Sequence, residues 1–251
     1  MRFRFKAFGL HILCSACVLT LVVGGLYAGW YRWPGWYLAG MRHIALLVVA
    51  VDVAIGPLLT LVVASPTKSR RELARDIGVI VVVQLAALAY GSVTLWRGRP
   101  VYYVFAGNGL HMVQAFDLKP SEIALGRRDD PSLAPEWHCM PRWVWAPLPQ
   151  DKQALKEAIR SMISGGVDLP QMPRYFKPWN QGLPTLRKHL RSVVKQTTFP
   201  KPERQALETR MKRLGIPLDK PDTMLLTGRG IPLLAVFDPT TLRIAAILAP
   251  D

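Results

Sequence analysis

The alternation of apolar and polar positions divides the 251-residue chain in two. In the first hundred residues apolar positions run on without a period, in three blocks: from about Leu10 to Tyr31, Ile44 to Ala64 and Ile77 to Trp96. Each is close to the roughly 20 residues that cross a hydrocarbon core about 30 Å thick, so the pattern predicts three transmembrane helices. The charged start "MRFRFK" resembles the first region of a secretory signal. The apolar run behind it, however, far exceeds a usual core of roughly 7–15 residues, which favours a retained membrane anchor.

Beyond Trp96 the apolar runs shorten and acquire periods. Val101–Ala106 and Leu110–Phe116 have strand character around "GNG", whose glycines suit a hairpin. Arg127–Pro149 is dense in Pro, Trp and Arg without either period, and it reads as loop. In "DKQALKEAIRSMI" (Asp151–Ile163), Ala154, Leu155, Ala158, Ile159 and Met162 share one helical face, with Gly165 and Gly166 as a stop. "PTLRKHLRSVVK" repeats the helical pattern through Leu186, Leu190, Val193 and Val194, and "PERQALETRMKRLG" through Leu207, Met211 and Leu214. "TMLLTG", "IPLLAVFD" and "LRIAAILA" read as three closing strands. Strands at both ends with helices between predict an α+β extracytoplasmic domain with a largely antiparallel sheet. The expected division is a three-helix transmembrane domain over residues 1–96 and a periplasmic α+β domain over 97–251.

Charge sets the orientation. The N-terminal segment and the loop "SPTKSRRELARD" together carry seven Lys and Arg, against four beside the opposite helix ends. The positive-inside bias then puts the N-terminus in the cytoplasm and the C-terminal domain in the periplasm of a bacterial inner membrane. Trp30, Trp33, Trp36 and Tyr37 in the first loop and Trp96 after the third block fit the aromatic belt at a membrane surface.

The chain carries a net charge of +15, and residues 97–251 hold 23 basic against 14 acidic side chains. An exported domain rarely meets nucleic acid, so the excess fits a solvated surface, anionic lipid or an acidic protein partner. The stripe Arg187, Lys188, Arg191, Lys195 follows helical spacing opposite the apolar face and reads first as a solvated face.

Motifs for catalysis are sparse. Cys14 and Cys17 have C-x-x-C spacing, but inside an apolar helix that offers no accessible low-pKa thiol. His11 and His43 sit near block ends, and His111, His138 and His189 lie at no zinc-ligand spacing. In "EWHC", neighbouring side chains of an extended segment diverge, which separates His138 from Cys139. No nucleophile elbow, phosphate loop or dinucleotide fingerprint is present. The expectation is a protein without enzymatic activity, metal or cofactor. Asp117 and Glu122 are the near-membrane acids that an envelope enzyme, for example a glycan transferase acting on another envelope protein, would use.

One apolar stretch breaks its own rules. In "VAVDVAIGPLLTLVV" (Val49–Val63), Asp52 stands near mid-span and Gly56-Pro57 follows it. A helix-centre Asp costs about 2.5–3.5 kcal/mol on the insertion scale, so it should face a bundle interior and find a partner. Gln84 on the third block is the best internal one, at similar depth. A protonated carboxyl would donate a hydrogen bond there instead of holding charge. Pro57 should free a backbone carbonyl around residue 53, and Gly56 should admit a close helix. Tying two helices together and binding the polar part of another chain's helix both fit.

"KAFGLHI" (Lys6–Ile12), "VDVAIGPLLTLVV" (Val51–Val63), "VVQLAALAYGSVTLWRGRPVYYVFAG" (Val82–Gly107) and "GRGIPLLAVFDPTTLRIAAILAP" (Gly228–Pro250) together resemble the TfpX/TfpZ family of type IV pilin accessory proteins. Paired elements D-x-x-x-G-P-L-L-T and Q-L-A-A-L-x-Y-G carry the likeness and add Thr60 and Tyr90 to Asp52, Gly56, Pro57 and Gln84 as helix-contact or partner-binding candidates. The likeness covers the first 120 residues well and the last 25 moderately. It departs at "AGNGLHMV" (Ala106–Val113), where a charged, aromatic segment would be expected. The resemblance implies an inner-membrane protein assisting type IV pilus biogenesis, and so twitching motility. Its partner would be the major pilin, met at both membrane helix and periplasmic head. Two linked contacts raise effective concentration without strong individual affinity.

Overall fold

The structure is a computed structural model that describes residues 2–136, 140–192, 198–220 and 222–250. The chain forms two compact units: Met1–Arg32 with Met41–Arg99, and Trp33–Gly40 with Pro100–Asp251.

Among the described residues of the first unit, three helices are long and apolar enough to cross a membrane: Arg2–Tyr31, His43–Val63 and Arg70–Arg97. The first joins α1 (Arg2–Leu26) to a π-helical turn, Tyr27–Tyr31. A short helix α2 (Gly35–Leu38) belongs to the other unit. The second span is composite: α3 (Arg42–Val49), a π-helical segment Ala50–Ile55, and α4 (Gly56–Val63). The third, α5 (Arg70–Arg97), opens on a capping box. Ser69 accepts from the Glu72 N–H and Glu72 accepts from the Ser69 N–H, so two of the four unpaired N-terminal donors are satisfied.

The spans pack through Leu19, Val48 and Leu88, with Val22, Val23 and Val53 around them. Gly91 on α5 admits Val48, whose Cγ2 occupies the place a Cβ would need. At one end of the bundle Trp30 meets Trp96 edge-on, with ring centroids 4.8 Å apart. Tyr31 Oη donates to the Leu95 carbonyl at 2.8 Å, and the Arg99 guanidinium lies 4.0 Å over the Trp96 ring. Leu10, Leu21, Val62, Val82 and Val83 are exposed on the outside of the bundle, where a hydrocarbon solvent stabilises them.

The second unit is built on a seven-stranded mixed sheet. Its strands are β1 (Pro100–Ala106), β2 (Gly109–Gln114), β3 (Arg142–Ala146), β4 (Lys177–Pro178), β5 (Thr223–Thr227), β6 (Leu233–Phe237) and β7 (Ile244–Leu248). The order is β4-β3-β1-β2-β5-β6-β7. Four of the six pairings are antiparallel, whereas β1 with β3 and β2 with β5 run parallel. Gly107, at a φ of +58°, closes the β1–β2 hairpin. Helices α6 (Pro120–Asp129), α7 (Lys152–Ile163), α8 (Trp179–His189) and α9 (Lys201–Arg213) complete the unit. Tyr102, Val104, Val113, Val144 and Phe176 form one core; Leu234, Val236 and Leu248 form another against Leu207 and Met211 of α9.

Three local readings change. The region Arg127–Pro149, read as loop, contains β3. "RWVWA" is too short to show a period, and its parallel partner β1 lies far away in sequence, so pairing and not local pattern makes it a strand. α8 begins at Trp179 and ends at His189, with Pro184 inside it. Arg191 instead exchanges backbone hydrogen bonds with Thr223, so the basic residues from Arg187 onward do not form one helical stripe. The readings placed on Val193, Val194, Lys195, His138 and Cys139 fall outside the described residues.

The segment between the first two spans is held by backbone contacts within the second unit. Gly230 N–H donates to the Leu38 carbonyl at 2.8 Å, and Gln114 Nε2 donates to the Ala39 carbonyl at 3.4 Å. Leu38 and Ala39 are buried. A Cβ at Gly228 would stand 2.6 Å from the Leu38 carbonyl oxygen, and one at Gly230 would strike the Tyr37 carbonyl oxygen. "GRG" is therefore a backbone-on-backbone clamp that side chains would pry open. Trp33, Trp36 and Tyr37 lie in this clamped segment, with Trp33 edge-on to Tyr37 at 5.8 Å.

Candidate functional site

The interior of the first unit holds a polar cluster whose origin is a fault in backbone hydrogen bonding. In the π-helical segment the Gly56 N–H donates to the Val51 carbonyl, five residues back. Continued by one residue, that register asks position 57 to donate to the Asp52 carbonyl. Position 57 is proline and has no N–H. The carbonyl orphaned by this register is that of Asp52, one residue before the position that ordinary α-helical spacing marks.

Gln84 of α5 repairs it. Its Nε2 donates to the Asp52 carbonyl at 3.0 Å. Gly56 makes this possible, because any Cβ there would overlap the Gln84 carboxamide. With Nε2 turned to Asp52, Oε1 faces α1 and meets His11 Nε2 at 2.7 Å. An amide oxygen only accepts, so His11 Nε2 carries the proton. In neutral His11, Nδ1 is then the acceptor, and Thr60 Oγ1, 2.5 Å away, donates to it. Three side chains and one carbonyl form a continuous chain through all three spans: Thr60, His11, Gln84, Asp52 carbonyl.

The Asp52 side chain has a different fate. The residue is 4% exposed, and its Oδ2 is buried with no hydrogen-bond partner among the described residues. It lines a cavity of about 130 Å³ together with His11, Cys14, Ser15, Val18 and Gln84, among others. Val18 and Leu85, also on its wall, are 42% and 54% exposed, so the cavity opens outward between α1 and α5.

Of the residues singled out from sequence, the structure thus brings together Asp52, Gly56, Pro57, Thr60 and Gln84. Tyr90 is 76% exposed and stands apart; its carbonyl accepts from Thr94. His11, read as a residue near a block end, is the hub that sequence reasoning missed. Its signal was depth: α1 begins at Arg2, so His11 lies more than two turns inside the helix.

The second unit has its own polar concavity, about 290 Å³, lined by His111, Asp117, Asp168, Gln171, Thr227 and Arg229 among others. His111 Nδ1 and Thr227 Oγ1 are 3.0 Å apart. Burial holds the His111 imidazole below its ordinary range, against smaller opposing contributions from a hydrogen bond with the Ala106 backbone and from the Asp168 charge. The two acids considered for an enzyme are each committed to an arginine. Arg229 Nη2 donates to Asp117 Oδ1 at 2.8 Å, and Arg174 Nε lies 3.2 Å from Glu122 Oε2. No group of three or more potential metal ligands occurs among the described residues.

No protein-family model and no solved structure matches the chain. Three curated relatives come from Dichelobacter nodosus. The fimbrial assembly protein of serogroup I is 24% identical over 246 residues, covering 94% of this chain and 91% of the relative. That of serogroup E1 is 23% identical over the same length. That of serogroups C1 and C2 is 31% identical over 121 residues, 48% of this chain and 92% of the relative.

The chain belongs to the fimbrial assembly protein family.

Two of these relatives match along nearly the whole of this family member, so the likeness takes in both units. The polar cluster is a property of the first unit alone. It is built from residues 11, 52, 56, 57, 60 and 84, on three separate stretches of the sequence.

Proposed function

We propose that this protein assists type IV pilus biogenesis as a non-catalytic chaperone or assembly modulator of the major pilin, within the TfpX/TfpZ group of accessory proteins. It is an inner-membrane protein with a cytoplasmic N-terminus and a periplasmic second unit, the orientation that its Lys and Arg distribution favours. Its spans receive the pilin's membrane helix, and its second unit meets the pilin head. Two linked contacts explain how a weak individual grip becomes useful capture.

The observation that carries this reading is the Asp52 cavity. Asp52, whose Oδ2 is buried without a donor among the described residues, lines a cavity that opens sideways from a helix bundle, and this supports docking of a group on another helix. Family membership supplies the biological setting.

Co-purification of native pilin with the full-length protein under gentle solubilisation tests the proposal. Wild type should retain pilin, while Asp52→Ala and a chain truncated after Arg99 should each retain less. Absence of pilin from all preparations would end the chaperone reading.

A further inference from the structure

We infer that the Asp52 cavity takes a cationic nitrogen carried at mid-depth by a transmembrane helix of another chain. This rests on the proposed function and names the chemistry of its membrane contact.

The argument is one of complementarity. His11, Thr60 and Gln84 use their polar atoms on one another and on the Asp52 carbonyl. That leaves the Asp52 carboxyl, whose Oδ2 is buried without a donor among the described residues, as an acceptor on a residue that lines the cavity. A buried carboxyl oxygen in a nonpolar medium is stabilised by a donor, and most strongly by one whose positive charge also favours the ionised form.

Depth excludes a lipid headgroup as the source. Asp52 stands nine residues from His43 and eleven from Val63, the ends of its span. At about 1.5 Å per residue the carboxylate is some 13–17 Å from either end, beyond the reach of an ethanolamine group at the surface. Shape favours a helix. The walls on α1 are the small Cys14 and Ser15, and the apolar Val18, Val81, Leu85 and Leu88 complete the cavity, a surface suited to close helix approach.

Cys14 lines the cavity and provides a reporter. The full-length protein carrying Cys17→Ser and Cys139→Ser, labelled at Cys14 and reconstituted in phosphatidylcholine vesicles, would be titrated with two synthetic helices. Each is an apolar peptide of about 22 residues, long enough to span. One bears a single central Lys and the other norleucine at that position. The Lys peptide should bind on the order of tenfold more tightly than the norleucine peptide, and Asp52→Asn and Asp52→Leu should both abolish the preference. Equal binding of the two peptides by the unsubstituted carboxylate would overturn the inference. So would a Lys preference that survives in Asp52→Leu, or Asp52-dependent pairing of the protein with itself in the absence of peptide. Asp52→Asn keeps the side-chain size, so its thermal melting identifies any loss that is only misfolding. Pilin co-purification that persists alongside equal peptide binding would remove this inference and leave the proposed function standing.

Discussion

Gln84 Nε2 donates to the Asp52 carbonyl at 3.0 Å, and Pro57 is the reason it can. The carbonyl is free because the π register calls for an N–H that proline lacks. A polar residue on one span thus answers a backbone fault on another, and His11 and Thr60 extend the answer to the third.

Replacing Gln84 by Leu removes two hydrogen bonds and leaves the Asp52 carbonyl and the His11 N–H unsatisfied. Interhelical hydrogen bonds in membranes contribute about 0.6 kcal/mol on average, so the expected loss is about 1–2 kcal/mol. Denaturant titration in detergent micelles would measure it. His11→Leu should cost a similar amount and, combined with Gln84→Leu, should cost less than the sum, because both remove the same bond.

Gly56→Ala places a methyl group on the Gln84 carboxamide. The expected penalty is about 1–3 kcal/mol, from overpacking and from displacing Gln84. Gly9→Ala, where a Cβ meets nothing within 4 Å, is the matched control and should be silent.

In the second unit, Gly230→Ala drives a Cβ into the Tyr37 carbonyl oxygen. The clamp on Trp33–Gly40 should loosen, with faster limited proteolysis inside that segment and a lower melting temperature. Gly107→Ala, strained at its positive φ but distant in sequence from the clamp, should lower stability without opening the segment to protease.

Acid should weaken the protein through His111. Burial depresses its folded-state pKa, so near neutral pH folded and unfolded chains both hold it uncharged. As pH falls below the unfolded value of about 6.5, the unfolded chain takes up a proton that the folded chain refuses, and stability drops. Melting temperatures of the full-length protein at pH 7.5 and 5.5 should differ by less in His111→Gln than in wild type.

A protein that holds pilin without modifying it leaves pilin chemistry unchanged. Intact mass of pilin from cells with and without the protein should therefore be identical. A mass difference would move the account toward the enzymatic reading.

Much of this was legible in the chain. Apolar length alone marks the three spans, and Asp52, Gly56, Pro57 and Gln84 stand out because each is anomalous in lipid. What was hidden depends on pairing between distant segments. The π turn at Ala50–Ile55 leaves no mark in composition, yet it decides which carbonyl is orphaned. In the sequence His11 stands at the edge of the apolar block, whereas α1 starts nine residues before it, at Arg2. β3 and the parallel pairings, likewise, exist only once β1 and β5 are in place. The clamp on Trp33–Gly40 needs the backbone of Gly228–Gly230 to arrive from the other end of the chain.

The central claim is that the Asp52 cavity is where pilin's membrane helix docks. Photo-crosslinking in intact cells, from a reactive residue placed at Ser15 or Leu85 on the cavity wall, tests it most directly. We expect a crosslinked species containing pilin from both positions, and none from Leu21 on the exposed outer face of α1. Equal crosslinking from Leu21, or none from the cavity at normal protein levels, would contradict it.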